Sequence, residues 1–192
     1  DRLLTAPLAW WLSRGQSSGR NAINALLTLP LVLPPTVLGF YLVLLLSPDS
    51  WFSQLLRLMG IEALAFRFEG LVLASMLYSL PFVVQPLQQG FGQIAQDLLQ
   101  QSQALGANRW QLVAQLIWPL SRPALFSAFI LSFAHTLGEF GIVLMIGGNI
   151  PNQTRMISVQ IYDHVEALEY AQAHWLAAGM LVFSMAVLII PV

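Results

Sequence analysis

Two residue types are missing from this 192-residue chain, and a whole class is scarce. Without cysteine there are no disulfides, no thiolate metal ligands and no cysteine nucleophile, and the redox compartment leaves no mark. Lysine is also absent, all eight basic residues being arginine, so a phosphate-binding loop of the form Gly-x-x-x-x-Gly-Lys-Ser/Thr is excluded. Charged side chains amount to 9%, against about 25% in soluble domains. The arginines stand singly and the net charge is −1, which gives nucleic acid no electrostatic footing. His135, His164 and His174 lack ligand spacing with one another or with carboxylates on a shared helix face, so no metal site is expected.

Hydrophobic residues dominate instead, at 57% with a mean hydropathy of +0.69. A helix needs about 20 apolar residues to cross a hydrocarbon core about 30 Å thick, and several runs approach that length. The bilayer is the solvent, and the fold class expected is an all-α, polytopic transmembrane bundle in one domain, 1–192. Spans are expected at about 22–46, 70–91 and 123–147, with partial spans at 1–12 and 174–192, so the chain reads as truncated at both ends. Pro30, Pro34 and Pro35 should kink or unwind the first complete span, because proline lacks the amide donor and its ring clashes with the preceding turn. Pro119 and Pro123 place the start of the 123–147 span near Pro123. Residues 47–69 read as a surface loop with a short interfacial helix near Trp51. Residues 148–173 read as a polar loop. Low-complexity tracts and repeats are absent.

Alternating spans put Arg14, Arg20, Arg109 and Arg122 on one side and Arg57, Arg67 and Arg155 on the other, where acids outnumber them. Arginine-rich short loops stay in the cytoplasm, which places residues 93–111 inside. That stretch is rich in glutamine, helix-prone, and amphipathic through Ile94, Leu98, Leu99 and Leu105.

Within it, Gln100-Gln101-Ser102, three residues, Gly106, nine residues, then Leu116-Ile117-Trp118-Pro119 resembles the coupling-loop motif of ABC importer permeases. That motif runs Glu-Ala-Ala, three residues, Gly, nine residues, Ile, one residue, Leu-Pro. Gly106 and Pro119 match in identity and spacing, and Leu116 replaces Ile. Gln100, Gln101, Ser102 and Trp118 depart from it. Leu29 to Tyr41 is similar to the second-helix signature of molybdate and sulfate permeases. Leu137-Gly138-Glu139-Phe140-Gly141, Ile146 to Pro151, Thr154-Arg155 and Ile161-Tyr162-Asp163 resemble the molybdate permease family more closely still.

The resemblance, over Leu26 to Trp175, implies a MetI-like permease with a cytoplasmic coupling helix at about 96–109. It also implies transport of molybdate, or of sulfate, thiosulfate or tungstate, across a bacterial inner membrane. Coupling residues would be Gln100, Gln101, Ser102, Ala104, Gly106, Ala107 and Arg109. Partners would be a second permease copy, two ATP-binding subunits carrying ATP and magnesium, and a periplasmic binding protein. The chain itself would need no cofactor and catalyse no bond chemistry. An ion-coupled secondary transporter would instead show inverted repeats and paired intramembrane charges, and Glu139 stands alone.

Glu139 costs a few kcal/mol within a span and is a functional candidate on that ground. An ionised carboxylate would repel an oxyanion, which favours a structural role, hydrogen-bonded to backbone donors or to Thr136, over pore lining. Hydroxyls in apolar spans, at Thr36, Ser75, Ser79, Ser132 and Thr136, could line an oxyanion path; alternatively each bonds back to its own helix. Arg155, Asp163 and Glu166 are candidates for docking the binding protein, or simply a solvated face.

Overall fold

In a computed structural model the protein is described over residues 2–189 except Gln16, with the side chains of Arg2, Leu3, Leu4 and Arg109 outside the description. Every element in that range is helical: α1 (Arg2–Ser13), α2 (Ser18–Val32), α3 (Pro35–Leu46), α4 (Trp51–Leu58), α5 (Phe68–Gly92), α6 (Gln96–Ala104) and α7 (Arg109–Gln111). A π-helical turn (Leu112–Ile117) follows, then α8 (Trp118–Gly138), α9 (Gly141–Gly147), α10 (Ile157–Glu166) and α11 (Tyr170–Ile189). Helices α5 and α11, and the π turn continued by α8, are long and apolar enough to cross a membrane. The pair α2 and α3 would make a fourth crossing if taken as one span.

That pair bends by 113° at Leu33 and Pro34. Pro35 forces the residue before it out of the α region, and Pro34 sits at φ −54°, ψ 137°, so α2 cannot run on. Pro30, by contrast, stays inside α2, and α2 starts at Ser18, earlier than the expected residue 22. Helix α5 keeps Pro81 and Pro86 within it and lies within two residues of the expected 70–91. The short interfacial helix near Trp51 is α4, capped by the Ser50 hydroxyl accepting from the Ser53 amide at 2.9 Å.

Neither Pro119 nor Pro123 starts the following span. Helical backbone runs from Arg109 to Gly138 because the π turn shifts the bonding register, with the Trp118 amide donating to the Val113 carbonyl. The Ser121 hydroxyl donates to the Ile117 carbonyl at 2.6 Å, and Pro123 is accommodated one turn later. The span ends at Gly138 rather than 147, and a break at Glu139 and Phe140 separates it from α9. The loop expected at 148–173 contains α10, and α11 opens four residues ahead of the expected 174.

The chain forms two compact units. In residues 2–28 with 80–133, Ala9, Val83, Leu87, Phe91, Ile94 and Ala128 are buried together, with Trp10 edge-on to Phe91 at 5.3 Å. Gly90 lets α5 meet α8 closely, since a Cβ there would lie 2.3 Å from the Ala124 Cβ. In residues 29–79 with 134–189, Leu42, Leu46, Ala74, Tyr78, Ile142 and Ile146 form one cluster and Leu71, Val143 and Val159 another. Small residues bring α3 against α9: a Cβ on Gly39 would lie 3.1 Å from the Met145 sulfur, and one on Gly141 3.0 Å from the Pro35 Cβ. Close approach of this kind holds helices where lipid supplies no hydrophobic drive between them.

Candidate functional site

The candidate residues fall into three groups, one in the first unit and two in the second. The first is α6, none of whose residues is buried. Its end is a Schellman turn: the Gly106 amide donates to the Gln103 carbonyl at 2.9 Å and the Ala107 amide to the Ser102 carbonyl at 3.0 Å. Gly106 has φ +85°, a left-handed conformation that costs other residues about 1–2 kcal/mol, which is why glycine stands at this spacing. The helix thus stops at Ala104, shorter than the expected 96–109. Asn108 and Gln111 then exchange side-chain and amide bonds, both 2.8 Å, in a reciprocal cap that starts the next helix.

Gln100 and Gln101 are exposed, as are Ala104 and Gly106, while Ser102 and Ala107 are half-buried and the Ser102 hydroxyl donates back to the Leu98 carbonyl at 2.8 Å. The Arg109 side chain lies outside the described residues. Around this turn Leu105 and Trp110 are more than four-fifths exposed, an apolar surface that sequence reasoning gave to Leu105 only in part and to Trp110 not at all. Arg14 ties the base of α6 to α1: its guanidinium donates to the Ile94 carbonyl at 3.2 Å and lies 4.1 Å over the Trp10 ring. A single arginine after an apolar stretch gives no sequence signal of such a contact.

The second group surrounds a cavity of about 590 Å³ in the other unit, lined by Pro35 and Thr36 of α3, Tyr78 of α5, Ala134 and His135 of α8, and 138–141 around the break. Glu139 is 4% exposed, and neither carboxyl oxygen has a hydrogen-bond partner. The expected bond to Thr136 does not form, because the Thr136 hydroxyl pairs with Ser79 at 3.1 Å. Ser75 stands beside the carboxyl without completing a well-directed bond. What holds the residue is its backbone, whose carbonyl accepts from the Ser158 hydroxyl of α10 at 2.7 Å. Of the hydroxyl candidates Thr36 alone lines the cavity, Ser79 is buried, and Ser132 belongs to the other unit. Tyr78 and His135, their rings tilted by 46° with centroids 4.7 Å apart, are lining residues that the sequence did not single out.

The third group is the loop after α9. Gly148, at φ +65°, ends that helix against Phe66, whose ring would sit 2.9 Å from any Cβ there. Thr154, 2% exposed, donates to the Gly147 carbonyl and accepts from the Ile150 amide at 3.0 Å. Arg155 donates to the Asn149 amide oxygen at 3.1 Å, and the Asn149 nitrogen donates to Asp163 at 2.7 Å. Two docking candidates are therefore bridged by an asparagine that sequence reasoning left without a role. Glu166 is exposed and, accepting a hydrogen bond from the phenol one turn back, holds Tyr162 above its ordinary pKa. His164 pairs with Glu169 at 2.7 Å.

Comparison with known proteins matches this arrangement to permeases. The chain is 56% identical over 182 residues to the molybdenum transport system permease protein ModB of Azotobacter vinelandii, covering 95% of this chain and 80% of that protein. It is 34% identical over 183 residues to a probable sulfate transport system permease protein of Chlorella vulgaris, covering 95% and 68%. In three dimensions it is similar to a chain of a bacterial alginate ABC transporter solved with its alginate-bound periplasmic protein. There the TM-score is 0.75 at 19% identity, with 97% of this chain and 68% of that chain covered, a likeness that shows the fold. Residues 5–192 match the family described as binding-protein-dependent transport system inner membrane component, and the chain belongs to that family of inner-membrane permeases.

Proposed function

We propose that this chain forms the translocation path of an ATP-driven importer for molybdate. The 56% identity to a molybdenum permease across 95% of the chain carries the reading, and the exposed α6 with its Gly106 turn supplies the mechanical part. Two copies would enclose the path, each presenting α6 and the apolar Leu105 and Trp110 to an ATP-binding subunit. The absence of lysine agrees with ATP and magnesium residing on that separate subunit. Its closure on ATP would push α6 and bias the spans between inward-open and outward-open states. A periplasmic binding protein would deliver the oxyanion near Arg155, Asp163 and Glu166. The sulfate permease relatives favour sulfate as the second reading, since tetrahedral dianions ask similar things of a pore.

ATPase activity of the complex in liposomes, with its ATP-binding subunit and binding protein, tests this directly. Molybdate-loaded binding protein is expected to stimulate hydrolysis more than sulfate-loaded protein, and Gly106→Pro to abolish stimulation while the complex still assembles. Oxyanion movement without ATP or partners would overturn the reading in favour of a secondary transporter.

A further inference from the structure

The carboxyl of Glu139 poses a problem that the fold leaves unsolved. It is buried beside a cavity, the Ser75 hydroxyl stands beside its oxygens without a well-directed hydrogen bond to either, and no ion pair reaches it among the described residues. A carboxylate taken out of water needs a cation or several donors, and without them its burial as an ion is strongly unfavourable. The arginines of this unit are engaged elsewhere: Arg57 with the Pro48 carbonyl, Arg67 with Glu62 and Glu69, Arg155 with Asn149. A neutral carboxylic acid has no such need. It turns the residue from an acceptor-only group into a donor.

Donors are also what the rest of the cavity wall presents. Thr36 and Tyr78 bring hydroxyls and His135 an imidazole, and the wall has no arginine to hold an anion tightly. Helix α5 contributes Tyr78, α8 contributes His135, and α3 and α9 contribute no titratable group to the wall. Helix α10 approaches through Ser158 on the Glu139 backbone and through Tyr162, which lies behind Phe140 at a ring distance of 5.0 Å.

We propose that this cavity is a stopping point for the transported tetrahedral oxyanion, and that Glu139 meets the anion as a neutral acid, donating a hydrogen bond alongside Thr36 and Tyr78. Neutral donors bind an anion strongly enough to replace water and weakly enough to release it, which is what passage demands. The carboxyl that looks misplaced on an anion path is thereby part of it. This inference rests on the oxyanion-import reading above.

Its test uses the reconstituted complex with Glu139→Gln, which keeps a donor without an acid, and Glu139→Met, which keeps bulk without one. Assembly is followed by co-purification with the ATP-binding subunit. Glutamine is expected to retain most of the molybdate import. Methionine is expected to lower import about tenfold or more, the worth of a hydrogen bond to a charged group. Infrared difference spectra of the wild-type complex should show a protonated-carboxyl band that Glu139→Gln removes and that molybdate shifts. Loss of import in an assembled glutamine variant, wild-type import in the methionine variant, or absence of that band would each overturn the proposal. Failure of the wild type to import any oxyanion would sink the importer reading instead, and the infrared band would still decide the form of Glu139.

Discussion

Thr154 shows how much one buried hydroxyl can hold. It closes the loop after α9 from both ends, donating to Gly147 and accepting from Ile150. Thr154→Val keeps the shape and strands a buried carbonyl and an amide, so a loss of about 1–3 kcal/mol is expected. Thr154→Ser keeps both bonds and should lose distinctly less. Thermal unfolding in detergent checks this, and equal midpoints for valine and serine would refute it. In sequence Thr154 reads only as part of a resemblance, because nothing in its neighbours says that a carbonyl seven residues back and an amide four residues back converge on it. Glu139 was legible as costly, being an acid in apolar surroundings. That it lacks partners was not, since the Ser79 pairing that takes Thr136 away spans 57 residues.

Between elements, contact is set by what is small. Helices α5 and α8 touch at Gly90 and Ala124 so closely that one added methyl has no room. Gly90→Ala is expected to destabilise the complex or shift the helices, at a cost of about 1–3 kcal/mol for overpacking. Ala124→Gly in the same chain should recover much of it, giving a coupling energy of about 0.5–3 kcal/mol in a double-mutant cycle. Additive effects would show that the two residues do not meet. The lengths of α5 and α11 were readable from their apolar runs. The continuous α7–π–α8 helix was not, because proline argues locally for a helix start, whereas here a π register leads into α8 across Pro119, and Pro123 lies inside α8.

For the whole molecule, the arginine bias and the order of spans predict an orientation with residues 93–111 in the cytoplasm. The chain lacks cysteine, so single cysteines report without background. Gln101→Cys, on exposed α6, is expected to react with an impermeant thiol reagent from the cytoplasmic side alone, and Gln153→Cys, exposed in the loop after α9, from the opposite side alone. Labelling of both from one side would contradict the topology. Much apolar surface also stays uncovered within the chain: Leu181, Val182, Phe183, Met185, Leu188 and Ile189 of α11 are all exposed, as lipid or a second copy would require.

Composition and the apolar runs alone determined that this protein lives in a bilayer and that its elements are helices. Those are properties of residue sums and of runs along the sequence, and they survive any arrangement of the helices. The motif spacing around Gly106 likewise survives, since a Schellman turn is local. Only the tertiary structure decided that Glu139 falls in a break rather than within a span, and that Tyr78 and His135 share its cavity. Each depends on side chains brought together from distant helices, where the competition for hydrogen-bond partners is settled by packing and not by order along the chain.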